Sequence, residues 1–262
     1  MQVLRRDSRG DDVEQWQNFL RGQGFDEVEA DGHFGEISEA ATKAFQQRHG
    51  LLPDGVVGNR TYGKAMELGL DIIDDPTEED TGPNWPPRPT SLQPLVSNDE
   101  RTQVFGRFQF VAAPRPGNPE AIRITDGWDR RNIVKVEISQ LIGVSDAPHD
   151  GAAYFHTKAQ EQVTALFKAW EDAGLLPFIL TWAGAYVPRF VRGSRTSLSN
   201  HAVGSAFDIN AEWNPRGARP ALKERKGSVR ELVPLANAHG FYWGGHYKNR
   251  PDGMHFEMAK RL

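Results

Sequence analysis

The 262-residue sequence contains no cysteine. That excludes disulfides, thiol nucleophiles and thiolate-ligated zinc, so any metal must be held by His, Asp or Glu. It leaves the redox compartment open. No apolar run is long enough to span a bilayer, which excludes membrane insertion. Excess positive charge is missing too: 31 Lys and Arg stand against 35 Asp and Glu. A nucleic-acid binder, whose affinity rests on clustered basic residues, is excluded on that ground. The opening MQVLRRDSRGDDVEQW lacks the apolar core and small-residue cleavage site of a secretory signal. The expectation is synthesis in the cytoplasm and action elsewhere only after release. The zinc-protease helix signature H-E-x-x-H is absent as well.

The hydrophobic share of 38% and charged share of 25% are those of an ordinary soluble chain, long enough for two domains. Residues 1–70 read as a small three-helix bundle. Val13, Trp16, Phe19 and Leu20 share one helical face, which Gly22 and Gly24 end. Ser38 is the expected cap of a second helix bearing Ala41, Ala44 and Phe45, ending near Gly50. A third short helix aligns Tyr62, Ala65, Met66 and Gly69. Within the bundle, DGHFGEIS (31–38) returns as DGVVGNRT (54–61). Taken singly, these Asp-Gly pairs are turn signals, the apolar residue anchors the turn, and Ser or Thr starts a helix. Residues 71–100 lose all periodicity and are rich in Pro, Asp, Glu and Thr, as a semi-extended linker is. Trp85 within it is read as a local contact, with packing on a neighbouring domain as the alternative.

Residues 101–262 mix strands and helices with no regular βαβ rhythm, and the fold class is α+β with an antiparallel sheet. Phe108 and Phe110, then Val134, Val136 and Ile138, alternate as half-buried strands do, with the loop PRPGNPEA between them. Val163, Leu166, Phe167 and Trp170 lie at helical spacing, PFILTWAGAYV (177–187) reads as a buried strand, and a further helix covers 234–239.

Two clusters carry chemistry. SLSNHAVGSAFDIN (197–210) crowds small residues around His201 and Asp208, and RPDGMHFEM follows with Asp252, His255 and Glu257. Imidazole and carboxylate suit zinc, and three protein ligands with an open fourth position make a catalytic site rather than a structural one. His201, Asp208 and His255 would be those ligands. Asp252 is the candidate general base, taking a proton from water and passing it to the leaving amine. Gly204 and Ala206 would let the backbone fold tightly enough for His201 and Asp208 to face one point. Glu257 is a candidate partner for a ligand imidazole's second N–H. Trp243 is expected to pack beneath His255, and His149 and His156 read as structural. His246 is a candidate cleft residue, against the plainer reading of a surface histidine.

Two resemblances join these readings. Leu4 to Trp16, the paired D-G-x-apolar-G turns and AFQQRHGLLPDG resemble the peptidoglycan-binding domain type 1 family, which implies binding to bacterial cell wall. S-x-H-x-x-G-x-A-x-D followed by D-x-x-H-F resembles the zinc D-alanyl-D-alanine carboxypeptidase family, whose members include phage L-alanyl-D-glutamate endopeptidases. That resemblance, over residues 105–262, implies zinc on His201, Asp208 and His255, with Asp252 as base. It also implies an arginine that steadies the substrate carbonyl after an S-G-Y-R-like segment. In WAGAYVPRFVRGSR, Tyr186 is in place but no Arg follows it directly, so Arg189 is the first choice and Arg192 the second. Ser199 and Tyr186 are candidate substrate contacts. The implied protein is a monomeric, endolysin-like zinc peptidase whose partner is peptidoglycan. L-alanyl-D-glutamate endopeptidase activity leads. D-alanyl-D-alanine carboxypeptidase activity, a secretion-delivered effector and a non-enzymatic wall-binding protein are the alternatives.

Overall fold

The computed structural model of the chain describes residues 3–68, 70, 84–115, 118–248 and 250–262. Near the N-terminus, helices α1 (Asp11–Gly22), α2 (Glu36–Arg48) and α3 (Asn59–Glu67) close on one apolar cluster. The helical spacing of Val13, Trp16 and Leu20 carries all three inside, against Phe45, Tyr62 and Ala65. Trp16 stands edge-on to Phe45 and Tyr62, and its Nε1 donates to Thr42 Oγ1 at 2.9 Å. Its apolar body and its polar tip are both satisfied. Gly69 lies outside the described residues.

The internal repeat is a pair of glutamine-clamped turns. Gln17 Nε2 faces Asp31 Oδ1, the His33 carbonyl and Ser38 Oγ, while its Oε1 accepts from Gly32 N. Gln46 repeats the pattern on Asp54 Oδ1, the Val56 carbonyl, Thr61 Oγ1 and Gly55 N. Ser38 therefore does not cap α2. The helix starts after Gly35, and the Ser38 hydroxyl turns inward to Gln17.

The C-terminal unit begins earlier than its composition suggests. Residues 71–83 lie outside the described residues, but the chain from Asn84 onward packs on the body of the unit. Trp85 packs at a tilt against Trp243, with the Arg230 guanidinium 4.4 Å from its ring centroid. Arg230 Nη1 donates to the Asn84 carbonyl at 2.8 Å. Proline content sets an extended backbone there and does not detach it from its neighbour. Trp85→Ala is expected to lower stability by about 2–3 kcal/mol, less than a fully buried Trp would. Denaturant unfolding measures it. Helix α4 (Asn98–Phe105) follows, fixed by a Ser97–Glu100 capping box.

Strands β1 (Phe110–Ala112) and β2 (Ile122–Ile124) form one antiparallel pair, and β3 (Ile133–Glu137) and β4 (Ala152–His156) another. Helix α5 (Trp128–Asn132) lies between the pairs in sequence. The main sheet is antiparallel in the order β5 (Trp182–Gly184), β6 (Ala206–Ile209), β8 (His255–Met258), β7 (Phe241–Trp243). Helices α6 (Gln160–Asp172) and α7 (Val233–Ala238) complete the unit, and Val163, Leu166, Phe167 and Trp170 enter its core as their spacing requires. Phe207 stacks on Trp182 and Phe256 at the centre of that core. The long strand expected over 177–187 is short: Leu176–Phe178 is a 3-10 turn, and the strand spans Trp182–Gly184. Pro177 withholds a ladder N–H, and Gly184 at φ 115 breaks the register.

Along β6 and β8 the period of two separates core from site. Phe207 and Phe256 face the core, so Asp208, His255 and Glu257 share the opposite face.

Candidate metal centre

His201 sits in a 3-10 turn (Asn200–Val203) directly before β6. Ser199 caps that turn, its Oγ accepting from His201 N at 3.3 Å. Gly204 ends it at φ 66, and a β-carbon there would lie 2.7 Å from His156 N. Only glycine meets both demands. Ser205 and Ala206 are fully buried, which accounts for their size. The crowding of small residues thus lets the turn press against β4 and aim His201 along β6. Asp208 and His255 are direct cross-strand partners.

The three side chains converge. His201 Nε2 lies 3.1 Å from His255 Nδ1 and 3.2 Å from Asp208 Oδ2. His255 Nδ1 lies 2.9 Å from Asp208 Oδ1. His201 Nδ1 donates to the Ala185 carbonyl at 2.6 Å, leaving its Nε2 as a lone pair. His255 Nε2 donates to Glu257 Oε2 at 3.3 Å, which leaves Nδ1 facing the same point. Two ring nitrogens and a carboxylate that converge in a buried site need a positive charge, a proton or a cation, to join them. Burial opposes charge on His255, yet the carboxylates of Asp208 and Glu257 push its imidazole up to about 10. Burial likewise opposes the Asp208 anion, but His201 and His255 hold it well below the usual carboxylate range. A borderline-soft dication that takes nitrogen and oxygen ligands would answer this demand. Among the described residues, His201, Asp208 and His255 form the group able to hold a metal.

Asp252 borders this point. The turn from Asp252 to β8 is closed by His255 N donating to the Asp252 carbonyl at 3.1 Å. Gly244 makes room for it, since a β-carbon there would meet the Asp252 carbonyl oxygen at 2.5 Å. Asp252 Oδ1 is buried with no hydrogen-bond partner. Burial pushes its carboxyl up to about 6, with Asp208 adding to the rise and His255 and Arg216 opposing it.

The arginine candidates separate. Arg192 is occupied by Glu120 at 2.7 Å and reaches Asn118. Arg189 Nη1 donates to the Phe190 carbonyl at 3.1 Å; burial weakens its charge, while the fields of Asp208 and Asp252 support it. Its backbone is fixed by Ser199 N donating to the Arg189 carbonyl at 3.1 Å. Tyr186 is half-buried, and burial pushes its hydroxyl up to about 12, with Asp129 as its charged neighbour. His246 is neither a cleft nor a surface residue. It is fully buried, its Nε2 is 2.8 Å from the Pro86 carbonyl, and burial pushes it down to about 4. Trp243 lies opposite Phe256 and bonds the Gly253 carbonyl rather than underlying His255; the ring beside His255 is Tyr247. His156 is buried in the core and His149 lies in an exposed turn.

Glu257 accepts from the His255 imidazole, and it is itself held by residues the spacing gave no reason to select. Asn200 Nδ2 donates to Glu257 Oε2, and Arg101 Nε donates to Asn200 Oδ1 at 2.6 Å. Tyr247 hydrogen-bonds the same carboxylate. Outer partners of this kind commonly tune metal affinity 10–100-fold. Glu257→Gln is expected to weaken zinc binding by about 10–100-fold with the fold intact. Competition against a chelating dye measures it.

Two family models match the chain. Residues 192–258 match the one described as D-alanyl-D-alanine carboxypeptidase, and residues 9–64 match a peptidoglycan binding domain. The two segments are thus similar to a peptidoglycan-binding domain and to the carboxypeptidase family. Together they support a peptidase that acts on peptidoglycan. The solved structure of the SleB N-terminal domain is 34% identical over 26% of this chain and 92% of that one, with a TM-score of 0.25. No curated protein matches the chain. Among the described residues, no helix is long and apolar enough to cross a membrane.

Proposed function

We propose that the chain is a zinc-dependent peptidase that cuts the peptide stems of bacterial peptidoglycan, with the L-alanyl–D-glutamate bond as its target. The observation that carries this reading is the convergence of His201 Nε2, Asp208 and His255 Nδ1, with the Asp252 carboxyl beside them. Zinc held by the three ligands would supply Lewis-acid polarisation of the scissile carbonyl. Asp252 takes the proton of the attacking water and returns it to the leaving amine. A carboxyl at about 6 is ionised at neutral pH and basic enough to accept that proton. Arg189 offsets the negative charge that develops on the carbonyl oxygen. The N-terminal domain keeps the enzyme on its polymer, raising the effective concentration of stems. An endolysin-like, bacteriolytic role follows from that pairing.

D-alanyl-D-alanine carboxypeptidase activity is the second reading, favoured by the description of the family model matched over 192–258. The two bonds share a feature: each leaving D-residue bears a free α-carboxylate next to the scissile nitrogen. Mass spectrometry of digested purified peptidoglycan separates them. New L-Ala carboxyl ends and D-Glu amino ends are expected. Release of terminal D-Ala alone would replace the endopeptidase reading with the second.

A further inference from the structure

The binding domain sits on the back of a loop that faces Asp252. A β-carbon at Gly63, in the middle of α3, would lie 2.6 Å from Pro215 Cβ. Glycine weakens a helix interior, so its place here reflects close approach. Arg60 Nη2 pairs with Glu212 Oε2 at 2.5 Å, and Ala218 is buried in the apolar cluster of the N-terminal helices. Gly217 approaches Met66, whose Sδ would be 3.1 Å from an added β-carbon. Both neighbours of Arg216 therefore press on the binding domain. Arg216 itself turns the other way: Nη1 donates to the Arg192 carbonyl at 3.3 Å, and Nε lies 3.8 Å from Asp252 Oδ2. Since Asp252 Oδ1 has no partner, few contacts fix the direction of that carboxylate.

We propose that the peptidoglycan-binding domain is a structural wall of the peptidase site: α3 holds the 212–218 loop so that Arg216, a positioning residue, orients the Asp252 carboxylate. This rests on the reading of Asp252 as the proton-transfer group. The N-terminal domain is then more than a tether, and its docking sets the turnover number even on substrates too small to engage it.

The test uses full-length variants on a small soluble stem peptide. Arg216→Met is expected to lower kcat by about 10-fold with KM nearly unchanged, as a displaced catalytic group does. Arg216→Lys should recover part of the loss. Gly63→Ala, which favours the helix but meets Pro215, should lower kcat and speed amide exchange over 211–218 while zinc content and binding to sacculi stay unchanged. The double variant should be no slower than Arg216→Met alone, because both changes act through one contact. Wild-type kcat in Gly63→Ala, or full additivity, would overturn the proposal. If Gly63→Ala proves unstable, Arg60→Glu makes the same test from an exposed position, with Glu212→Arg restoring the pair. If the wild-type protein cuts nothing, the peptidase reading fails. Loop exchange still judges the docking, and unchanged exchange in both interface variants would reject it.

Discussion

Asp252→Ala is expected to keep its metal and lose hydrolysis by about 10²–10⁴-fold, the range for removing a positioned acid–base group. Asp252 is not one of the three convergent ligands, so its side chain can go without opening the metal site. What goes with it is a buried carboxyl with one oxygen free of partners, poised at about 6. Asp252→Asn should lose as much, because the amide keeps the shape and cannot accept the proton. The sign of the pH effect follows from the same group. Below about 6 the carboxyl is protonated and no longer a base, so kcat/KM falls on the acid side. A dication at the neighbouring ligands favours the ionised form and moves that limb further toward acid. A variant with wild-type turnover, measured by release of amine from a stem peptide, would remove Asp252 from the mechanism.

His201→Ala is expected to lose both metal and activity. Its Nε2 is one corner of a triangle whose other corners, His255 Nδ1 and Asp208, lie 3.1 and 3.2 Å away. Two ligands cannot replace three, and the affinity loss should exceed the about 10–100-fold typical of an outer partner such as Glu257. The contrast between the two variants is the useful result. Elemental analysis should find zinc with Asp252→Ala and little with His201→Ala, while neither hydrolyses peptide. Stoichiometric zinc in His201→Ala would contradict the ligand set.

The convergence of His201, Asp208 and His255 was legible because each motif is short in sequence and its spacing matches strand geometry: His201 precedes β6, Asp208 lies on it, and His255 pairs with Asp208 across the β6–β8 ladder. The three-helix bundle was legible for a similar reason, since Val13, Trp16 and Leu20 repeat at the helical period. What sequence reading missed depends on contacts between distant segments. Arg101 meets Asn200 across 99 residues, and Arg60 meets Glu212 across 152. No local pattern marks either pair. His246, close in sequence to Asp252, read as a cleft candidate or a surface histidine, yet Pro86 and Trp85 return to cover it. Trp85 was the available signal: a large aromatic in a Pro-rich stretch asks for a surface to pack on. Gln17 and Gln46 lie outside the repeated octapeptides they clamp, so the repeat was visible and its cause was not.

The most direct test of the account is digestion of purified peptidoglycan by the zinc-loaded protein, by the protein after chelation, and by the chelated protein given zinc again. Soluble stem fragments that appear, vanish and return in that order are the expected result. Release of fragments that is indifferent to chelation, or none in any of the three, would contradict a zinc peptidase built on His201, Asp208 and His255.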